Sequence, residues 1–417
     1  MAPASKLMSD TRSGSQTKDG GILWRGGYGA CPGRRRMTDE FSRDFGPFRG
    51  RAWLNCAHQG PLPRLAAEEA REAVEWKVAP YELTSERFSG VPARLKSALA
   101  RLVGASADEI ILGNSASYGL HLLANGVPWC RGDEVLLVAD DFPSDLLPWL
   151  RLERLGVRVR LIHPQKPLPD PDELRRAISS STRLFCTTWV HSFSGFAADL
   201  DGLGSVCRQH NVRFIVNASQ ALGARPLDVR SVPLDAVISV GFKWLCGPYG
   251  TGFCWMKPDL LESLQYNQTY WVAEMTAEDL GRERSPVHLP EGPPRARTYD
   301  VFGTANFFNF KPWAASVEYL LKQDIDRIAI YDGQLVEQFI GGIDTKKYDL
   351  TSPASGPARS TIVFISHRDP GRNQEIQRKL RDAGIEVAYR KGQLRFSPHL
   401  YNTSADIEKA LAVLNAR

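Results

Sequence analysis

Residues 241–252 read Gly-Phe-Lys-Trp-Leu-Cys-Gly-Pro-Tyr-Gly-Thr-Gly, with one lysine among aromatic residues and glycines. Residues 234–240 before this stretch and residues 253–256 after it are apolar runs typical of buried strands. Burial between two strands would disfavour the ammonium form of Lys243, lower its pKa and make the amine available as a nucleophile. Alternatively, the stem of the side chain packs while the ammonium reaches water. The stretch by itself leaves both interpretations open.

Length and composition indicate a globular protein with a substantial core. The chain has 417 residues, of which 43% are hydrophobic, so we expect one large and one smaller domain. No apolar run reaches the length of a membrane span, and we predict no membrane association. Residues 1–36 contain seven cations and two anions, which accounts for the whole net charge of +5. The remaining residues, 37–417, therefore carry no net charge, which gives no reason to expect nucleic-acid binding by this part of the chain.

The first 36 residues are rich in Gly, Ser and Arg and lack the apolar core of a secretory signal, which predicts a flexible basic tail. Met37 is a natural start for the folded chain, so this tail is either native or an added extension. The seven cysteines are scattered without metal-type spacing. They predict free, mostly buried thiols in a cytoplasmic protein and no metal site.

Apolar strand patterns alternate with helical patterns over residues 110–216, which predicts an α/β fold with a mostly parallel sheet and helices on both faces. We predict a large domain over residues 52–270, continuing through a loop and a helix to about residue 310. Residues 311–417 alternate again and predict a small α+β domain, joined to the large one by residues 37–51. No Gly-x-Gly-x-x-Gly or Walker-type motif is present, so nucleotide-binding classes lack their phosphate cradle.

Polar segments follow the predicted strands, and ligands of open α/β sheets bind at the carboxyl ends of strands. Small and hydroxyl residues opening a helix can bind phosphate, although serine and asparagine are also ordinary helix caps. We therefore expect one site, formed by the segments 113–119, 141–144, 191–195 and 217–220 together with Lys243.

Five segments occur in an order shared with one enzyme family. They are Leu-Asn-Cys-Ala-His-Gln-Gly-Pro-Leu-Pro (54–63), Val-Asn-Ala-Ser-Gln-Ala-Leu-Gly (216–223), Lys-Trp-Leu-Cys-Gly-Pro (243–248), Gly-Thr-Ala-Asn (303–306) and Arg-Phe-Ser-Pro-His-Leu-Tyr-Asn-Thr (395–403). Over about residues 52–414 the chain resembles the class-V aminotransferase family, which includes cysteine desulfurases, isopenicillin N epimerase-like enzymes, kynureninase and C–S lyases. The resemblance implies a fold-type I transferase with a seven-stranded type of sheet, and pyridoxal 5′-phosphate as the cofactor.

The resemblance also implies roles for individual residues. Lys243 would form the Schiff base with the cofactor and then move the proton at the substrate Cα. Thr304 would reach the phosphate from the partner subunit, which implies a homodimer. Ser239 would also bind the phosphate. Alternatively, it is a strand serine whose hydroxyl is hydrogen-bonded to the backbone. The cofactor-binding positions implied are Ser115, Ala116 and Ser117 at the phosphate, Phe142 stacked on the ring, Gln220 at the phenolic oxygen, and Ser192, Asn217, Ser239, Lys243 and Thr304.

Two further residues are implied to bind an amino-acid substrate. Arg395 would hold the carboxylate through a bidentate ion pair, with a surface salt bridge as the alternative. His58 would line the pocket, with a purely structural histidine as the alternative. The loop around residues 265–300 is expected to surround the distal half of the substrate, whose identity the sequence does not reveal.

The chain departs from the family pattern at the cofactor ring and near its C-terminus. Asn217 stands where the family usually has Asp, and a neutral amide cannot stabilise a pyridinium as a charge does, unless the loss is compensated elsewhere. This disfavours transamination and is more tolerable for β-elimination. Phe142 and Phe242 replace frequent histidines, which leaves proton transfer largely to Lys243. Residues 340–417 contain no cysteine, which disfavours persulfide-forming desulfuration.

These observations predict an enzyme that acts at Cα or Cβ of an amino acid, and C–S β-lyase chemistry on an S-substituted cysteine in specialised metabolism is the preferred hypothesis. Aminotransferase, epimerase and decarboxylative or oxidative deaminase activities are alternatives on the same fold. A non-catalytic binding protein of this fold is the alternative from another class.

Overall fold

The computed structural model describes residues 41–268, 270–275, 277–282 and 292–416. The predicted tail, residues 1–36, lies outside the described residues. The compact unit that contains the described residues runs from Asp39 to Arg417. Among the helices that the structure describes, none combines the length and apolarity that a membrane crossing needs.

Thirteen strands and thirteen α-helices are defined within the described residues. The strands are β1 (Ala52–Trp53), β2 (Ile110–Gly113), β3 (Glu134–Val138), β4 (Arg158–Ile162), β5 (Thr182–Thr188), β6 (Arg213–Asn217), β7 (Ala236–Val240), β8 (Gly252–Met256), β9 (Tyr348–Leu350), β10 (Val363–His367), β11 (Ile385–Glu386), β12 (Ala388–Arg390) and β13 (Gln393–Phe396). The helices are α1 (Arg64–Val78), α2 (Ser85–Val103), α3 (Ala116–Gly126), α4 (Pro143–Leu150), α5 (Pro171–Ala177), α6 (Leu200–Gln209), α7 (Pro258–Ser263), α8 (Trp271–Glu274), α9 (Ala277–Leu280), α10 (Phe307–Gln323), α11 (Ile325–Gly342), α12 (Asn373–Asp382) and α13 (Ser404–Asn415).

A seven-stranded sheet forms the centre of the molecule, in the order β2-β8-β7-β6-β5-β3-β4. Strand β8 runs antiparallel to both of its neighbours, and the remaining pairs are parallel. All residues of β3, β7 and β8 are buried, as expected for apolar strands covered on both faces. The predicted α/β fold with a mostly parallel seven-stranded sheet is therefore confirmed. The carboxyl ends of β3, β5, β6 and β7 meet at one edge, where the polar segments lie.

A second sheet, in the order β12-β13-β10-β9, is antiparallel and is formed by the C-terminal part of the chain. Strand β1 pairs in parallel with β11, and a bridge joins Asn55 to Ser397. The segment 54–63 is therefore fixed against the strand that carries Arg395. The division at about residue 310 stays a prediction.

Helical spacing in the sequence predicts helices that begin at Arg94 and near Pro312, and an apolar pattern predicts a strand over residues 385–389. The structure differs at each of these boundaries. Helix α2 begins at Ser85, and α10 begins at Phe307. Each helix has an interior proline, a residue that normally ends a helical pattern because it lacks an N–H donor. The predicted strand 385–389 is divided at Val387, since β11 pairs with β1 whereas β12 pairs with β13.

Candidate active site

Lys243 lies three residues beyond β7, in a tight loop at the carboxyl edge of the central sheet. The Cys246 N–H donates to the Lys243 carbonyl oxygen at 3.0 Å, and the Gly60 N–H donates to the Phe242 carbonyl oxygen at 2.9 Å. A Cβ atom at Gly60 would collide with the Lys243 carbonyl oxygen, so this contact requires glycine. The segment 54–63 therefore holds the lysine loop from one side.

The Lys243 amine is enclosed by protein, although part of the side chain remains accessible. The amine and the side chains around it, Phe142, Phe193, Ser192, Gln220 and Arg395, are together called the recess. Burial, reinforced by the Arg395 guanidinium, lowers the pKa of Lys243 to about 8. The lowered pKa expected from the flanking strands is therefore present, and a neutral amine is accessible near neutral pH.

An aromatic face lies beside this amine. The Lys243 Nζ atom is 5.7 Å from the centroid of the Phe142 ring, and that ring stacks on Phe193 with centroids 6.0 Å apart. Phe142 is 39% exposed, so part of its surface is available to a ligand. Two phenyl rings without ionisable atoms thus form an apolar wall suited to a planar ring.

Gln220 is fixed at both ends of its amide. Its Oε1 atom accepts from the Trp244 indole N–H at 3.0 Å, and its Nε2 atom donates to the Ala57 carbonyl oxygen at 3.1 Å. Because the indole N–H can only donate, the orientation of the amide is defined. The Ser192 hydroxyl lies 3.5 Å from Gln220 Nε2, which brings these two predicted residues together.

Arg395 is a buried cation, 4% exposed. Its guanidinium makes long contacts with the Ser192 carbonyl oxygen at 3.5 Å and Asn55 Oδ1 at 3.4 Å, and its Nε has no hydrogen-bond partner among the described residues. Burial and the nearby Arg390 charge lower the pKa of Arg395 to about 10. A buried guanidinium without a carboxylate is costly, so this side chain is prepared for an anion.

His58 is exposed at the rim of this group of residues. Partial burial, followed by the charges of Arg390, Arg395 and Lys243, lowers the pKa of His58. Its imidazole is therefore neutral beside three cations.

Three hydroxyls predicted to hold a phosphate, those of Ser115, Ser239 and Thr304, have hydrogen-bond partners within the chain. Ser115 caps α3 by accepting from the Tyr118 N–H at 3.3 Å, and Ser239 donates to the Val240 carbonyl oxygen at 3.1 Å. A Cβ at Gly252, the strand partner of Val240, would collide with the Ser115 backbone, so the start of α3 lies against the strand end near Lys243. That helix start carries Ser115, Ala116 and Ser117. The Thr304 hydroxyl donates to the Val301 carbonyl oxygen, and its contact with a partner subunit stays a prediction.

Asn217, at the end of β6, is joined to a carboxyl group that sequence reasoning missed. Its Nδ2 atom donates to Asp145 Oδ1 at 2.7 Å, and its Oδ1 atom accepts from the Ser219 N–H at 3.0 Å. Asp145 is 1% exposed, and its Oδ2 atom has no hydrogen-bond partner among the described residues. Burial, followed by the Asp141 charge, raises the pKa of Asp145. In the sequence, Asp145 is indistinguishable from an ordinary acidic residue in the first turn of a helix.

Comparison with known proteins decides the family. A sequence model described as aminotransferase class-V matches residues 83–410, most of the chain. The chain belongs to the class-V aminotransferase family. It is therefore a pyridoxal 5′-phosphate-dependent enzyme, which confirms the predicted resemblance, enzyme class and cofactor.

Class-V aminotransferase relatives span almost the whole chain. A probable cysteine desulfurase from Methanothermobacter thermautotrophicus is 26% identical over 398 residues, which cover 89% of this chain and 96% of the relative. Isopenicillin N epimerase from Streptomyces clavuligerus is 28% identical over 401 residues, which cover 87% and 94%. The cystine C–S lyase C-DES, solved in complex with cysteine persulfide, has a TM-score of 0.79 at 20% identity and covers 89% of this chain and 99% of its own. This last likeness supports the fold.

A buried ion pair beneath the lysine loop is a second feature of this class-V aminotransferase that sequence reasoning missed. His399 Nδ1 lies 2.7 Å from Asp332 Oδ2, and His399 Nε2 lies 3.1 Å from the Trp244 carbonyl oxygen. Burial alone lowers the pKa of His399, but the Asp332 carboxylate overrides it and raises the value to about 10. The pair therefore holds the backbone immediately after Lys243.

Replacing Asp332 by asparagine is expected to lower the free energy of unfolding by about 3 kcal/mol at neutral pH, because it leaves His399 buried without its countercharge. The folded-state pKa of His399, about 10, lies above the unfolded value of 6.5. Stabilisation by the pair is therefore complete below about pH 6.5 and is lost as the pH rises towards 10. Urea unfolding of both proteins at pH 6.5 and pH 9.5 measures this, and a difference that does not shrink at high pH would contradict the assignment.

Proposed function

We propose that this pyridoxal phosphate enzyme cleaves the Cβ–S bond of an S-substituted cysteine. The observation that carries the proposal is the composition of the recess: an enclosed amine with lowered pKa, an apolar aromatic wall and a buried guanidinium without a carboxylate. Elimination with water then gives pyruvate, ammonia and a free thiol. The phenyl wall of Phe142 and Phe193 suits an apolar sulfur substituent.

The residues of the recess fit the cofactor. The enclosed Lys243 amine can bind its aldehyde carbon, and the Phe142 face matches a planar ring. Gln220, Ser192 and Asn217 are assigned to hydrogen bonds with the cofactor ring and its substituents. The phosphate is assigned to the start of α3 (Ser115, Ala116 and Ser117), with Ser239 and the partner subunit's Thr304. When bound, pyridoxal phosphate supplies the electron sink that acidifies the substrate Cα–H.

The protein side chains then divide the remaining work. Arg395 binds the substrate carboxylate and orients Cα. Lys243 takes the Cα proton, since the phenyl rings of Phe142 and Phe242 cannot transfer protons. His58, neutral at the rim, is assigned to the substrate pocket. Water is excluded from the reacting bond by the aromatic wall.

Sulfur transfer to a protein thiol is disfavoured by the cysteines present. Residues 340–417 contain none, and both Cys56 in the segment 54–63 and Cys246 in the lysine loop are completely buried. Burial raises the pKa of Cys56 well above its usual range, which suppresses the nucleophilic thiolate. The Cys56 thiol is therefore poorly suited to attack the substrate sulfur, and the sulfur leaves with the proton it needs as a free thiol.

Product analysis tests the proposal. The enzyme, loaded with pyridoxal phosphate, is incubated with an S-alkyl cysteine, with cystine and with cysteine, and pyruvate and thiol are quantified. We expect equimolar pyruvate and thiol from the S-alkyl cysteine, with no pyruvate from the Lys243→Ala variant. A keto acid that retains sulfur, together with conversion of the cofactor to its pyridoxamine form, would instead show transamination. Carbon dioxide release would show decarboxylation.

Epimerisation is the second candidate, favoured by the relative that is an isopenicillin N epimerase. It needs the same proton removal at Cα but no leaving group. Formation of the D-isomer with deuterium uptake from heavy water and without pyruvate would support this candidate against the lyase.

The assembly and location of the enzyme are also proposals. A homodimer is expected because Thr304 is assigned to the cofactor of the partner subunit, and sedimentation at micromolar concentration tests it. Free thiols favour a cytoplasmic location: within the described part of the chain six cysteines are free, and five of them are buried. Fractionation of the source cells tests that location.

A further inference from the structure

Two buried carboxyl groups lie at the start of α4, and only one is explained by the fold. Asp141 Oδ1 accepts from the Phe142 N–H at 2.7 Å, and its Oδ2 accepts from the Thr188 N–H at 3.0 Å. Asp145 has one partner, the Asn217 amide, and its second oxygen is buried without any among the described residues. Asp141 therefore has a structural role in joining α4 to β5, whereas Asp145 leaves hydrogen-bonding capacity unused.

Asp145 and the Ser219 N–H together define the orientation of Asn217. Asp145 Oδ1 accepts from Asn217 Nδ2, and the Ser219 N–H can only donate, so the NH₂ group of Asn217 faces Asp145. The amide oxygen then faces the Ser219 N–H and retains capacity for one more donor. Asp145 on one side and the Ser219 N–H on the other therefore hold the amide in one orientation.

This pair is connected to the lysine loop. The Ser219 hydroxyl accepts from the Val240 N–H at 3.1 Å, at the end of the strand that leads to Lys243. Burial and then the Asp141 charge raise the pKa of Asp145, whereas the Asn217 hydrogen bond and the Lys243 charge lower it. A cation on a bound ring nitrogen would lower it further and favour the carboxylate. Asp145 therefore lies close enough to Lys243 to be affected by its charge.

We propose that Asp145 is a positioning residue that supplies the negative charge beneath the cofactor ring and, through Asn217, presents an amide oxygen to the protonated ring nitrogen. The charge that is absent from position 217 is thereby provided one hydrogen bond away. The geometry therefore favours compensation of the missing charge at position 217 over a weakened electron sink in the cofactor ring. This inference rests on the cofactor site proposed above.

A charge exchange between the two positions tests the proposal. Four proteins are compared: wild type, Asp145→Asn, Asn217→Asp and the double variant that carries both changes. The dissociation constant of pyridoxal phosphate is measured by absorbance titration of the apoprotein. The ¹⁵N chemical shift of the ring nitrogen in labelled cofactor reports its protonation, and urea unfolding of each apoprotein reports stability.

We expect Asp145→Asn to weaken cofactor binding about tenfold to a hundredfold, the range of a lost charged hydrogen bond, and to move the ring-nitrogen shift towards the unprotonated form. Asn217→Asp places two carboxylates in contact and is expected to weaken binding by a similar factor, since like charges cannot both ionise there. The double variant restores one charge and one amide, and should recover binding to within about threefold of wild type.

The outcomes separate this inference from the site itself. If Asp145→Asn had the same dissociation constant for pyridoxal phosphate and the same ring-nitrogen ¹⁵N shift as wild type, the role of Asp145 would be overturned. The cofactor site itself would remain intact. Equal losses in both single variants and in the double variant, with parallel losses of apoprotein stability, would show a packing role and overturn it as well. A wild-type protein that takes up no cofactor would overturn the site and this inference together.

Discussion

Replacing Lys243 by alanine is expected to abolish the visible absorption of the cofactor-loaded protein and to reduce turnover by roughly ten-thousandfold or more. The amine is enclosed, its pKa is lowered to about 8, and the phenyl rings beside it cannot transfer protons. No other group of the recess combines these properties. Absorbance after incubation with pyridoxal phosphate, followed by pyruvate release from an S-alkyl cysteine, measures both effects.

Two further lysine variants make this result specific. Lys243→Arg keeps a long cationic side chain, but the guanidinium stays protonated and cannot act as a nucleophile, so the colour should be lost as in the alanine variant. Lys391 is a control for a second lysine beside the aromatic wall, because its half-exposed ammonium lies 3.6 Å from the Asp140 carboxylate and 4.7 Å from the Phe193 centroid. Lys391→Ala should remain coloured. A Lys243→Ala protein with wild-type absorption and turnover would refute the assignment.

Replacing Arg395 by glutamine is expected to lower kcat/KM for a carboxylate substrate by roughly thirtyfold to several thousandfold, the range found when one member of a buried charge pair is removed. Among the described residues the buried guanidinium has no carboxylate partner, and its Nε atom has no hydrogen-bond partner. Arg395→Lys should fall between glutamine and wild type, since an ammonium lacks the bidentate fork. Steady-state kinetics of the three proteins measure the series.

The substrate carboxylate provides the control for Arg395. An analogue with an amide in place of the carboxylate should react with wild type and with Arg395→Gln at similar kcat/KM. Arg390→Gln, which removes an exposed neighbouring cation, should reduce kcat/KM for the carboxylate substrate far less. Cofactor absorption should persist in all these variants. An Arg395→Gln enzyme that still discriminates the acid from the amide would place the carboxylate elsewhere.

The sheet and the reactive lysine could be predicted from sequence because both rest on continuous signals. Strand β8 is apolar throughout, β7 is apolar except for Ser239, and β3 is apolar after Glu134. Lys243 is a single cation between β7 and β8. The first residues of helices α2 and α10 were harder to predict from sequence. Pro92 and Pro312 interrupt the helical pattern in sequence, but each costs only one intrahelical hydrogen bond and the surrounding packing tolerates it.

The polar network under the site could not be predicted because its partners are far apart in the chain. Asp145 and Asn217 are separated by 72 residues, and Asp332 and His399 by 67. Asp145 has the sequence context of a helix first turn, and Asp332 lies in the amphipathic helix α11. Burial removes both carboxyls from water, and burial is set by the packing of other elements. Asn217, at the end of β6, therefore suggests a missing charge, whereas the carboxyl group that binds it belongs to α4.

The pairing of β1 with β11 affects the order in which the molecule can form during synthesis. Ala52 pairs with Ile385, and the Asn55 backbone with Ser397, so the segment that supports the lysine loop waits for residues made more than 330 positions later. Closing so long a loop is slow compared with forming local contacts. On the ribosome the central sheet can assemble first, whereas the segment 54–63, Lys243 and Arg395 come together only when the last strand has emerged. We therefore expect a nascent chain that ends before β13 to hold a folded sheet and to capture no cofactor.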